Sequence, residues 1–244
     1  MKSDGWRDVK KPEVIMMPYG KYMTQAIMAG RKTVSIEPLD VDTKMYFWCI
    51  GNKEWLQNDP DVLKEEPEWY AQFVPKSGVR MDMEWVKLLC REGDYICLCE
   101  QCAPVYANKE HTKIAGYIYK ADEDVDLPND DGLDIFMSPE NVGDWIESYN
   151  MPLEAARTFL RVNYVGIYHI QDMTEQDMLD CGIGKVVMGK DYPTVKDAFI
   201  DVWDSIAGQR NIDKYSWKAN PWVLRFDFEI CEKPERIGDK IRRV

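Results

Sequence analysis

Ile27-Met28-Ala29-Gly30-Arg31-Lys32-Thr33-Val34-Ser35 joins a helix pattern to a strand pattern near the start of the chain. The apolar positions Tyr22, Met23, Ala26 and Ile27 fall at helical spacing and stop at Gly30, a residue that adopts the left-handed conformation past a helix end without a Cβ penalty. A β-branched run resumes at Thr33. Arg31 and Lys32 therefore stand at a helix-to-strand turn, and the hydroxyls of Thr33 and Ser35 follow on one face of a period-2 strand. Such a group can hold a phosphate, carboxylate or carbonyl oxygen. Two cations at a helix C-terminus would equally complement its last carbonyls with no ligand involved, and spacing leaves both readings open.

Outward from this turn, Val14 to Met17 reads as a strand, Pro18-Tyr19-Gly20 as the entry to the helix, and Glu37-Pro38 as the close of the following strand. Met45 to Ile50 is rich in β-formers, whereas residues 51–80, with three prolines and scattered aromatics, read as a loop-rich excursion. Its rings suit either stacking on bases or pinning a loop to the core. Tyr95 to Leu98 and Ala115 to Asp122 read as strands, the second running into the acidic loop Asp122 to Asp134. That loop lacks the closing Glu of a calcium loop and reads as solvated. Ser138-Pro139-Glu140 and Pro152 to Arg157 read as short helical starts. Phe159 to Val162 and Val165 to Tyr168 form a long β stretch, from which Arg161 projects opposite its apolar neighbours. Thr174 with an acid at N3 caps a helix that Gly182 stops. Thr194 to Ile206 is amphipathic, with Val195, Ala198, Phe199, Val202, Trp203 and Ile206 on one face. In Trp217 to Ile230, Trp222, Leu224, Phe226 and Phe228 alternate with polar positions, the pattern of a strand with one face buried.

The segment AGRKTVS (residues 29–35) resembles the GRKT motif of ASCH domains, members of the PUA-like β-barrel superfamily. MPLEAARTFLRV (151–162), IQDMTEQDMLDCGI (170–183), FIDVWDSI (199–206) and YSWKANPWVLRFDFEI (215–230) are similar, in the same order, to phage- and prophage-type members. The resemblance implies an α+β protein: a PUA-like β-barrel with flanking helices and a long acidic insertion. It divides the chain into a flexible lead-in (1–11), one domain (12–232) with irregular insertions around 51–80 and 121–151, and a basic tail (233–244). The chain departs from the family where Ser35, Ile36 and Glu37 stand in place of a strand that continues with Thr and Arg. Gly93-Asp94 resembles the family's GD turn, with Glu100 where a Glu commonly follows and Cys99 and Cys102 in place of an Arg and a Trp.

The amidohydrolase branch of that superfamily deacetylates N4-acetylcytidine with a Lys, a Thr and a Glu. Motif by motif, the resemblance places the Lys at Lys32 and the hydroxyl at Ser35, and puts Cys181 at the place of the Glu, with Asp180 beside it. A desolvated Lys next to a hydroxyl can act as base or activator, with Glu100 or Asp180 as the substitute carboxylate. The opposing class is a binding module: Arg31, Lys32, Thr33, Ser35, Arg157 and Arg161 line a cleft for a nucleotide, modified nucleoside or single-stranded RNA end, and Trp217 stacks on a base or packs the core. A phage structural or assembly protein is the third class, and a protein partner is left open.

Composition sets outer limits. The 244 residues, 45% hydrophobic and 30% charged, suffice for one well-buried core. No window approaches the roughly 18 apolar residues of a membrane span, and residues 1–11 are charged with no apolar segment behind them, so a cytoplasmic protein of a bacterial host with no membrane partner is expected. Seven cysteines, an odd number, argue against a disulfide framework. Cys97, Cys99 and Cys102 have zinc-like spacing, but Cys97 and Cys99 also alternate onto one strand face as small buried residues do, so no metal and no cofactor is expected. The net charge of −12 argues against indiscriminate coating of nucleic acid. Its distribution is uneven: residues 1–36 hold seven Lys or Arg against three acids, residues 37–151 ten against twenty-five.

Overall fold

The structure, a computed structural model, describes residues 13–52, 69–75, 83–122, 139–187, 189–235 and 241–244. Strand β1 (Val14–Pro18) leads into helix α1 (Lys21–Met28), and the exit from α1 forms as its glycine dictates. Gly30 takes φ 67°, and the amides of Gly30 and Arg31 return to the carbonyls of Ile27 and Ala26 at 2.9 and 2.8 Å, a Schellman closure. There follow β2 (Val34–Pro38), β3 (Tyr46–Asn52), β4 (Trp69–Val74), β5 (Glu84–Lys87), β6 (Tyr95–Cys99), β7 (Cys102–Tyr106) and β8 (Ile114–Tyr119). A 3-10 turn at Leu153–Ala155 precedes the 11-residue β9 (Phe159–His169). Helix α2 (Glu175–Asp180) starts with the expected capping box: Thr174 Oγ1 accepts from the Asp177 amide at 3.2 Å, and the Asp177 carboxylate accepts from the Thr174 amide at 2.8 Å.

The hairpin of β10 (Val186–Val187) and β11 (Lys190–Asp191) leads to α3 (Val195–Tyr215), capped by Thr194 and longer than its apolar stripe predicts. It breaks at Asn211 (φ −169°, ψ 103°), whose side-chain oxygen accepts from the Lys214 amide at 3.2 Å and so restarts the last turn with a cap of its own. Strands β12 (Trp222–Cys231) and β13 (Ile241–Arg243) complete the described elements.

Six strands form the main sheet in the order β13-β1-β6-β9-β12-β2, with β1 parallel to both neighbours and the other pairs antiparallel. Alternation assigns its residues to two faces. Ile15, Met17, Ile96, Leu98, Leu160, Val162, Leu224 and Phe226 share one core with Ala71 and Phe73, so the β3-β4-β5 sheet covers that face. The opposite face is covered in two halves. Val14, Met16, Cys97, Cys99 and Phe159 pack with Cys102, Met151 and Ala155; Val34 and Val223 pack with Met178 of α2 and Ala198, Phe199 and Trp203 of α3. Each large apolar side chain fully buried here contributes about 1.5–3 kcal/mol.

The architecture is mixed α and β. Among the described residues no ladder joins the edge strands β13 and β2, and the six-stranded sheet is faced by a second sheet and by helices. One expectation is corrected. The segment read as a loop-rich excursion contains β4, the middle strand of its sheet, because Trp69, Ala71 and Phe73 form an apolar face that packs into the core. Within the basic tail β13 pairs with β1, and Arg243 donates to the carbonyls of Tyr149 and Met151 at 3.0 and 3.1 Å. The lead-in, residues 53–68 and 76–80 of the excursion and all of the acidic loop after Asp122 lie outside the described residues. Cys97, Cys99 and Cys102 are buried at 0, 1 and 0% exposure, the packing that strand alternation suggests, and no group of three or more His, Cys, Asp or Glu among the described residues is arranged to hold a metal ion. Among the same residues no helix is long and apolar enough to cross a membrane.

Candidate functional site

The turn after α1 delivers Lys32 inward rather than to the surface. Its backbone bridges to Cys181 at the end of α2, and the Thr33 amide donates to the Asp180 carbonyl at 2.8 Å, so the register of β2 is fixed before its first residue. Lys32 and Ser35 are buried at 7 and 5% exposure, whereas Arg31 and Thr33 are exposed. The Lys32 ammonium donates to the carbonyls of Val34 at 2.6 Å and Cys181 at 3.3 Å. A lysine carries three donors, so one remains beyond these two. The helix terminus it serves is that of α2, not α1.

Lys32 lies in a cleft of about 270 Å³ lined by the end of β1, by β2 and by α3. Ser35, Tyr19, Glu37 and Cys181 share the polar part of the lining; Phe199, Trp203, Ile206 and Ala207 of α3, with Ile36 and Ile183, give an apolar wall, and Arg210 stands where α3 breaks. The Tyr19 hydroxyl lies 3.1 Å from Ser35 Oγ. Arg210 Nη1 approaches a Glu37 oxygen at 3.5 Å. Burial shifts four of these groups, Tyr19, Lys32, Glu37 and Cys181, against their charged forms. It pushes the Lys32 ammonium below its ordinary value, with Cys181 and Glu37 pulling the other way. It pushes the Glu37 carboxyl up, with Arg210 and Lys32 opposing, raises the Tyr19 hydroxyl, and pushes the Cys181 thiol up to about 11. The place that the family resemblance gives to a Glu thus faces Lys32 but carries a protonated thiol.

The other predicted site residues are elsewhere. Arg157 and Glu100 meet each other, not Lys32: Arg157 Nε and Nη2 donate to the two Glu100 oxygens at 2.8 Å each, Nη1 and Nη2 to Asp122 at 2.7 Å each, and the guanidinium lies 3.7 Å from the Tyr119 ring. Arg157 is fully committed, and Glu100, at 2% exposure, is a buried structural carboxylate. Arg161 is exposed on β9, opposite Tyr95 and Glu229 in its neighbouring strands. Asp180 accepts from Gln176 at 2.8 Å and does not line the cleft. Trp217 packs edge-on against Phe199 at 6.0 Å, the core role weighed for it. Sequence reasoning did not assign Tyr19, Glu37 or Arg210 to the site. Only Glu37, as a departure from the family pattern, carried a signal.

Two expected results follow from this geometry. Gly182 holds φ +83°, and a Cβ there would sit 3.0 Å from Lys32 Cβ and 3.3 Å from Ala26 Cβ. Gly182→Ala should cost about 1–3 kcal/mol in a denaturant titration through backbone strain and displacement of Lys32; an unchanged midpoint would refute the tight contact. The second concerns pH. Because the Lys32 ammonium is depressed below the unfolded value of about 10.4, the unfolded chain holds more proton than the folded one between the two values, and stability contributed here rises with pH across that window. The stability difference between the native protein and Lys32→Met, measured from pH 7 upward, should shift in favour of the native protein; a shift the other way would contradict the buried ammonium.

The chain is thus an α+β protein with a lysine-centred cleft, and comparison with known proteins adds the following. A profile of the SAM domain (sterile alpha motif) matches residues 136–188. Residues 139–187 of that span supply 3-10 turns, β9 and α2 to all three cores, so the similarity lies inside the domain and not in a separable unit. A crystal structure of protein EF3133 from Enterococcus faecalis V583, family DUF984, aligns at a TM-score of 0.37 and 11% identity over 92% of this chain and 78% of that one. The likeness is too slight to define a fold. No curated protein matches significantly.

Proposed function

We propose that this is a PUA-like, ASCH-type domain whose Lys32 cleft binds one nucleoside or nucleotide unit, free or at the end of a single-stranded RNA. The observation that supports it is a buried ammonium with a spare donor, set in a cleft that is otherwise apolar with a few convergent polar groups, the usual character of a small-molecule site. At about 270 Å³ the cleft lies just below the range of about 300–1,000 Å³ typical of such sites, which suits a single unit rather than a run of nucleotides. A thermal-shift panel of the four common ribonucleosides and their 5′-monophosphates tests the reading. A ligand at about a hundredfold excess over its Kd stabilises by about 2.7 kcal/mol, or about 5–10 °C for a chain of this size. At least one compound should reach that range and lose its effect in Lys32→Met. No shift with any of the eight would remove the reading.

Hydrolysis of an N-acylated cytidine is a second reading, favoured by one observation: a carboxylate, Glu37, lines the same cleft as Lys32 and Ser35. Water would add to the acyl carbon, the C–N bond would break, and acid and free amine would leave. Acetate release from N4-acetylcytidine, abolished in Lys32→Met, supports it; none above background ends it.

A further inference from the structure

The cleft is lined by three charged side chains: Lys32, Glu37 and Arg210. Lys32 is buried and spends two of its donors on backbone carbonyls. Arg210, at the rim, is a half-exposed cation facing Glu37 at 3.5 Å. Without Glu37 the site would present two cations and an apolar wall, a setting that takes a phosphate. With Glu37 it presents one donor deep in the cleft, one acceptor near the rim and a rim cation that is already paired. Glu37 stands on β2 two residues beyond Ser35, in the span where the chain departs from the resemblance drawn above.

Resting on the nucleoside or nucleotide reading, we infer that Glu37 makes the cleft selective for an uncharged heteroaromatic ring and against phosphate. The ring presents an acceptor to Lys32 and an adjacent N–H to Glu37, while the side chains of Phe199, Trp203 and Ile206 take its flat apolar surface. Glu37 acts in two ways: it accepts the ring N–H, and it neutralises Arg210 and repels a phosphate brought to the rim. A site built to hydrogen-bond an N–H leaves its acceptor unpaired when the N–H is absent, which is the stronger kind of discrimination.

Isothermal titration of the four ribonucleosides and their 5′-monophosphates into the native protein, Glu37→Leu and Glu37→Gln tests this. In the native protein the best nucleoside should bind at least as tightly as its monophosphate. In Glu37→Leu the order should invert, with the monophosphate tighter by about tenfold or more as Arg210 is released; Glu37→Gln, which keeps the side-chain shape, should invert it in the same sense and covers a folding failure of the leucine variant. A monophosphate tenfold tighter than its nucleoside in the native protein would overturn the inference and leave the Lys32 reading standing. An unchanged preference in both variants would overturn the role of Glu37. Absence of binding by every compound would overturn the reading on which the inference rests, and the inference with it.

Discussion

Arg157→Met should lose about 3–5 kcal/mol of stability in urea, because it strands Glu100 at 2% exposure with its charge unpaired and removes the contact of Asp122 with the same guanidinium. The bidentate geometry is what raises this above an ordinary surface pair, whose removal would move stability by less than about 1 kcal/mol. Methionine keeps much of the side chain's bulk, so the loss reports the guanidinium's charge, its hydrogen bonds and its contact with the Tyr119 ring rather than a cavity. In the background of Glu100→Leu the same replacement should cost much less, since no buried carboxylate remains to be left alone. Equal losses in both backgrounds would show that the two side chains are not coupled, and would return Arg157 to the list of cations free for a ligand.

Lys32→Met should weaken binding of a nucleoside or nucleotide by about 10- to 150-fold in isothermal titration, the loss of one charge-assisted hydrogen bond worth about 1.5–3 kcal/mol. Position 32 is not the exposed, stability-neutral site that a turn between helix and strand implies. The ammonium also satisfies two buried carbonyls, so the variant must be titrated where circular dichroism shows it folded. Arg31→Met, one residue earlier but exposed, should change affinity by less than about twofold. A loss at Arg31 equal to that at Lys32 would mean that general positive charge, not a seated donor, holds the ligand.

Local patterns were legible where local physics decides. The Gly30 closure, the Thr174–Asp177 box, the apolar stripe of α3 and the alternation in β12 each depend on residues within a few positions of one another. What the sequence concealed depends on distant partners. Nothing near Glu100 announces that its oxygens are taken by Arg157, nor near Glu37 that Arg210 lies opposite. Two of the three residues of β13 are arginines and would read as a tail by themselves; β1 supplies the ladder that orders them. The inward turn of Lys32 likewise follows from its bridge to Cys181, a contact no period-2 count from Thr33 anticipates. Of the residues predicted to share one site, Lys32 and Ser35 both line the cleft, because they stand three positions apart on one chain segment. Those expected to join them across the fold, Glu100, Arg157, Arg161 and Trp217, are placed elsewhere by pairings that only the folded chain sets.

A crystal structure of the protein soaked with its best-binding nucleoside tests most directly whether the Lys32 ammonium contacts the ligand inside the cleft beside α3. The predicted result is ring density against Phe199 and Trp203, with an acceptor atom at about 2.7–3.2 Å from Lys32 Nζ. Well-ordered ligand on another surface, with the cleft empty at full occupancy, would contradict it.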